Sequence, residues 1–214
     1  MNPRTLLLAL IATAALAVPV AISAMPGAQA WEIGPLVRGR NYSVGMPAHP
    51  RPGPKGSLVL DIPLEGVGQI DAMTTPVGPL AGARRIILDY RVDAAPGTRF
   101  IADEMPDEPA AVSLYFQQAG DNWSGRGRFA SYRWYAPGRT VIPLSPGRHT
   151  VTIGLDEAWT NVRGQSNQVE SAGFAAAMAD TATLGVAFGS AGRRSHGIYA
   201  TGPARFTLLR LDIE

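Results

Sequence analysis

No cysteine occurs in the 214 residues, so disulfides cannot supplement the core and the fold depends on buried apolar surface or a bound metal ion. Histidine is scarce. His49, His149 and His196 stand apart along the chain, and without an H-E-x-x-H or C-x-x-C pattern there is no sequence signature of a zinc site. A G-x-S-x-G nucleophile elbow is also missing, because Gly192 to Gly197 reads Gly-Arg-Arg-Ser-His-Gly and has neither the spacing nor the flanks. Lys55 is the one lysine, arginine supplies the remaining basic residues, and the formal net charge is only +2. That balance lacks the basic excess that phosphate neutralisation demands, so no nucleic-acid partner is expected.

The N-terminus carries an export pattern. Arg4 gives a short basic start, Leu6 to Ala24 is almost wholly apolar, and Ala28-Gln29-Ala30 is a small-x-small sequence that a signal peptidase accepts. Cleavage is expected between Ala30 and Trp31, with a second site after Ala24. A retained anchor is the alternative, since the apolar run is just long enough to span a bilayer, but Pro19 interrupts it. No later stretch is apolar and long enough to cross a membrane, so no membrane insertion is expected after cleavage. The expected organisation is a signal peptide over 1–30, an extended proline-rich arm over 31–56 and a single β-sandwich domain over 57–214. The export signal predicts a periplasmic or secreted protein of a bacterium.

Glycine and proline, 24 and 18 residues, punctuate short apolar runs rather than forming one low-complexity block, which reads as many strands and turns. Leu58, Leu60, Ile62 and Leu64 alternate with Val59, Asp61 and Pro63. Ile86, Leu88, Tyr90 and Val92 alternate with Ile87, Asp89 and Arg91. Period-two patterning of this kind marks half-buried strands. Similar patterns run over 112–117, 140–144, 149–155, 183–188 and 205–213, with weaker ones at 68–73, 99–102 and 129–134. Eight to ten strands predict an all-β fold, a two-sheet antiparallel sandwich of the jelly-roll kind. The alanine-rich segment 166–178 predicts one short crossover helix.

No catalytic residue can be assigned. The acidic stretch Asp103 to Glu108 is the one dense carboxylate cluster; it reads as a solvated loop, or as oxygen ligands for calcium. The most informative segment is Asp121 to Tyr135, which packs five aromatics and three arginines into fifteen positions. Aromatic faces stack on the C–H face of a sugar, while acid, amide and guanidinium groups bond its hydroxyls. Trp123, in a glycine-bearing turn, is the best candidate for a stacking platform, with Trp134 a core residue if 129–135 is a strand. Trp159 is expected to plug one end of the sandwich, its indole N–H bonded to a backbone carbonyl. The glycine-rich loop 190–203 reads either as a cover over a binding face or as an ordinary hairpin. The candidate ligand-binding residues are Asp121, Asn122, Trp123, Arg128, Tyr132, Tyr135, Arg194 and His196, with no metal ligand assignable.

From about Ile86 onward the order of features resembles the galactose-binding-domain-like jelly rolls that include many carbohydrate-binding modules. The resemblance rests on Ile86 to Val92, on Leu144 to Ile153 leading to Trp159, on Leu184 to Gly189, and on Ala204 to Ile213. It implies a sandwich and a glycan or polysaccharide partner, and leaves room for a structural calcium ion but for no other cofactor. The leading expectation is an exported, non-catalytic carbohydrate-binding protein. Two alternatives stand beside it: a structural or partner-binding envelope protein, and a polysaccharide-active enzyme.

Overall fold

A computed structural model describes residues 25–214; the apolar run Leu6 to Ala24 lies outside the described residues. Two antiparallel sheets pack face to face as a β-sandwich. One is seven-stranded and runs Glu32–Gly34, Ala72–Pro76, Thr181–Gly189, Ala111–Gln118, Arg133–Tyr135, Thr160–Asn161, with Ile142–Pro143 added beside Ala111–Gln118. The other is five-stranded and runs Gly147–Gly154, Arg85–Ala94, Ala204–Ile213, Leu58–Ile62, Arg51–Pro52. The chain passes from one sheet to the other between nearly all of its long strands, as a jelly-roll path requires.

Alternation decides which side chains meet between the sheets. Leu58, Leu60, Ile62, Leu88, Tyr90, Val92, Ile153, Phe206 and Leu208 face inward from the five-stranded sheet, and Ile33, Met73, Leu114, Phe116, Trp134, Leu184, Val186 and Phe188 from the other; all belong to one buried cluster. The outer face of the five-stranded sheet is a charged lattice. Asp61 accepts from Arg51 at 2.5 Å and from Arg205 at 2.8 Å, Arg91 pairs with Asp93 at 2.9 Å, and Arg148 pairs with Asp89. The exposed pairs of Asp61 and Asp93 each add little to stability, whereas Asp89 is buried under Arg148; what the lattice does is keep that face wet and its edges unattractive to other strands.

Four sequence expectations differ in detail from the structure. Segment 31–56 is less of an arm than its prolines suggest: Trp31 and Ile33 are fully buried, and Glu32–Gly34 pairs with Ala72–Pro76 at the sheet edge. Just ahead of it Ala28 is buried and the Pro26 carbonyl accepts the Trp31 indole N–H at 3.2 Å. Residues 42–50 run without strand pairing, but within the proline-rich stretch Arg51–Pro52 pairs with Leu58 and Val59 as the outermost strand of the five-stranded sheet. The strand expected over 129–134 is shorter, because positive φ at Gly125 (58°) and Gly127 (55°) leads into a 3-10 turn, Gly127–Ser131, before pairing starts at Arg133. Pairing expected over 140–144 shrinks to Ile142–Pro143, where Pro143 has no N–H to continue a ladder.

The helix occupies Ser171–Ala179, later than residue 166. Its Phe174 meets Trp134 at 5.0 Å and Phe116 at 5.8 Å edge-on, so the helix closes one end of the sandwich. Trp159 is fully buried there and donates to the Gly154 carbonyl at 2.9 Å, as its sequence context suggests.

Candidate functional site

The outer face of the seven-stranded sheet has a different character from its charged counterpart. In Ala111–Gln118 the odd-numbered side chains point outward, which places Ser113, Tyr115 and Gln117 there, and Tyr115 is opposite Gly185 of the neighbouring strand. The Tyr115 ring lies across that glycine: a Cβ added at Gly185 would sit 2.7 Å from two of its ring carbons. Beyond the glycine the phenol meets the Thr74 hydroxyl. Trp123 packs edge-on to Tyr115 at 5.7 Å and Tyr135 lies 5.8 Å away on the other side. Together with Ala72 and Ala187 these residues form a second small buried cluster, separate from the main core. Tyr115 is fully enclosed, and desolvation holds its phenol well above the usual range.

Trp123 is fixed from below. The Arg133 guanidinium carbon lies 4.0 Å from the centroid of its ring, and Arg133 Nη1 donates to Asp121 Oδ2 at 3.1 Å. Both charged side chains are buried, at 7% and 2% exposure, so this ion pair is an internal strut. Asp121 Oδ2 also accepts from Gln117 Nε2 at 2.8 Å, and its Oδ1 accepts from the Trp123 backbone N–H at 3.1 Å. Trp123 itself has φ of 63°, a left-handed conformation uncommon for a bulky side chain. Such strain persists only where the surroundings over-determine it, and here the Asp121 bond and the Arg133 stack do so. The next turn is closed by Gly125 against Val162, where a Cβ would approach to 2.8 Å.

Beside the indole opens a cleft of about 360 Å³. It is lined by Trp123 and Asp121 from the turn, by Thr74, Gln117 and Thr183 from the sheet, by Glu32 from the edge strand, and by His49. The sheet groups are ordered by one another: Thr183 Oγ1 donates to Gln117 Oε1 at 3.0 Å, and Gln117 in turn holds Asp121. Hydroxyl, amide and carboxylate groups beside a half-buried indole can bond a polyhydroxylated ligand while the ring contacts its apolar face.

Of the eight residues singled out from the sequence, the structure brings Asp121, Trp123, Tyr135 and Arg194 to this face. Arg194 has its guanidinium carbon 5.8 Å from the Tyr135 ring centroid and donates through Nη1 to the Ala136 carbonyl at 2.5 Å. Burial lowers its basicity, offset in part by Tyr135. The other four lie elsewhere. Asn122 is exposed and caps the Ser124 N–H at 3.0 Å. Arg128 is exposed over Phe129, and Tyr132 packs edge-on to the same ring at 5.2 Å. His196 pairs with Glu104 at 3.0 Å.

Glu32, Thr74, Tyr115, Gln117 and Thr183 carry no signal in the sequence that assigns them to a site, and Arg133 is one of the three arginines of the Asp121 to Tyr135 segment with nothing to single it out from the other two. The alternation in Ala111–Gln118 shows which of its residues share a face, but not which strand lies next to them.

Near His196 lies a second ionisable group of note. Asp71 is buried, accepts from Gln69 Nε2 at 2.9 Å, and has its carboxyl pushed up to about 7 by desolvation, partly opposed by Gln69 and reinforced by Asp103 and Glu104. Among the described residues no group of three or more His, Asp or Glu side chains is arranged to hold a metal ion. No helix among them is long and apolar enough to cross a membrane.

No protein-family model matches the sequence, and no curated protein matches it either. One solved structure, from work on the endo-acting O-glycanases that prominent members of the human gut microbiota express to initiate mucin breakdown, aligns over 87% of this chain and 92% of its own, with 11% identity and a TM-score of 0.39. A likeness that low transfers no activity.

Proposed function

We propose that this is an exported, non-catalytic carbohydrate-binding protein whose glycan lies across the outer face of the seven-stranded sheet. The observation that carries the reading is the cleft itself: Trp123, braced by Arg133, stands beside the Thr74, Gln117 and Thr183 side chains. An indole held at that angle offers a preorganised stacking surface at little entropic cost. Among the described residues the cleft has no second available carboxylate, which favours binding over hydrolysis. Both oxygens of Asp121 are already taken, by Trp123, Gln117 and Arg133, which leaves Glu32 alone where a glycosidase needs two acting groups.

A second reading, docking of a partner protein, draws on one feature. Leu36, Tyr42, Val44, Leu64 and Val67 are all 41% exposed or more, and the segments bearing Val44 and Val67 are tied together by a Gln69 N–H to Val44 carbonyl bond of 3.0 Å. A glycan-array screen of the protein from Met25 onward, which keeps Ala28 and the Pro26 carbonyl, with and without calcium, separates the two. Selective glycan binding supports the proposal; an array with no bound glycan overturns it in favour of partner docking.

A further inference from the structure

Tyr135 carries two guanidinium groups, and they differ in one respect. Arg133, 5.9 Å from the ring, is neutralised by Asp121, whereas Arg194, 5.8 Å away, has no carboxylate within ion-pair distance among the described residues. The arginines of the opposite face at positions 51, 91, 148 and 205 are each paired. Arg194 uses one N–H on the Ala136 carbonyl, and a guanidinium has five. Half-burying a cation with four donors unspent and no counter-ion is unfavourable, and its planar fork matches an oxyanion bidentately.

The loop is built to hold it there. Gly189 passes so close to the Arg193 carbonyl that a Cβ would come within 2.1 Å of that oxygen, Ser190 Oγ accepts the Arg193 N–H at 3.0 Å, and Ser195 adopts φ of 60°. Together these contacts fix the turn that carries Arg194, while Gly192 and Arg193 beside it stay exposed.

We infer that Arg194 is the anchor for an acidic substituent, a carboxylate or a sulfate ester, on the saccharide that occupies the Trp123 cleft. This assignment rests on the carbohydrate reading above and narrows it to acidic glycans. Tyr115 and Tyr135 lie between Trp123 and Arg194, so the ligand that engages both is an oligosaccharide or polymer, with an acidic group some distance from the ring stacked on Trp123.

The test is isothermal titration of the protein from Met25 onward with three ligands: a uronate-containing oligosaccharide, the same oligosaccharide with its carboxyls reduced to alcohols, and a sulfated neutral oligosaccharide. One or both acidic ligands should bind about tenfold to a hundredfold more tightly than the carboxyl-reduced one, in line with hydrogen bonds to a charged group. Which acidic ligand does so identifies the anion. In Arg194→Gln that ratio should fall close to one, with melting temperature unchanged or raised because a half-buried charge has gone. Equal affinity for acidic and reduced ligands, or a ratio that survives in Arg194→Gln, overturns the anion site while leaving carbohydrate binding intact. Should Arg194→Gln fail to fold, the wild-type ratio and its collapse in high salt decide the question. Binding of none of the three, together with an empty glycan array, overturns the carbohydrate reading itself.

Discussion

Arg133 lies on the face of Trp123, its guanidinium carbon 4.0 Å from the ring centroid, while the same group holds Asp121 at 3.1 Å. One buried cation therefore fixes both the wall of the cleft and the turn that presents it, because Asp121 also accepts the Trp123 N–H. Affinity and local stability are linked through that cation, and substitutions around it separate the two.

Trp123→Ala should abolish glycan binding while lowering stability by about 1–2 kcal/mol, since the ring is only partly buried and loses one cation–π contact and one aromatic edge. Urea denaturation beside the glycan titration checks the split. A loss of stability comparable to removing a core tryptophan, about 3–5 kcal/mol, would mark Trp123 as structural.

Asp121→Ala removes the counter-ion of Arg133 inside the protein. The expected cost is about 3–5 kcal/mol, because an uncompensated buried charge remains. Glu214→Ala, which breaks the exposed pair with Arg85, should cost no more than about 1 kcal/mol. Midpoints in urea for the two variants should differ accordingly, and equal midpoints would contradict the burial of the Asp121 pair.

Asp71 makes stability pH-dependent in a direction that can be worked out. Its folded carboxyl titrates at about 7 and an unfolded aspartate near 4. Between those values the folded protein holds a proton that the unfolded chain has released, so this group's contribution to stability falls as pH rises across that window, by up to about 1.4 kcal/mol per pH unit. Asp71→Asn should flatten the fall between pH 4 and 7, the range set by those two titrations. An unaltered pH profile of the urea midpoint in the variant would rule out Asp71 as its source.

Gly185→Ala places a methyl 2.7 Å from the Tyr115 ring and 2.7 Å from the Met73 carbonyl. Tyr115 must lift, at a cost of about 1–3 kcal/mol, and its contacts with Thr74 and Trp123 go with it. Near-ultraviolet circular dichroism should change and glycan affinity should drop, although neither Gly185 nor Tyr115 lines the cleft. A variant with wild-type spectrum and affinity would show that Tyr115 does not set the position of the indole.

The strands and their inward residues are legible in the chain itself because alternation is a local property: Ile86 to Val92 and Leu184 to Phe188 each state their own buried face. The aromatic turn at Asp121 to Tyr135 is equally visible as composition, and so is the glycine content of loop 190–203. Neither pattern says what lies across from it. Tyr115 alternates with Phe116 as any half-buried pair would, and only the pairing with Gly185 turns its ring into a platform under Trp123.

Local sequence determined the β-rich content, the inward faces and the residue types from which a site could be made. The tertiary structure decided which of those types meet. Asp121 and Arg133 are twelve positions apart, Arg194 and Ala136 fifty-eight, and strand order brings each pair together. Strand order depends on how the whole set of apolar faces is best buried against one another. That is a property of the assembled sandwich, absent from any single segment.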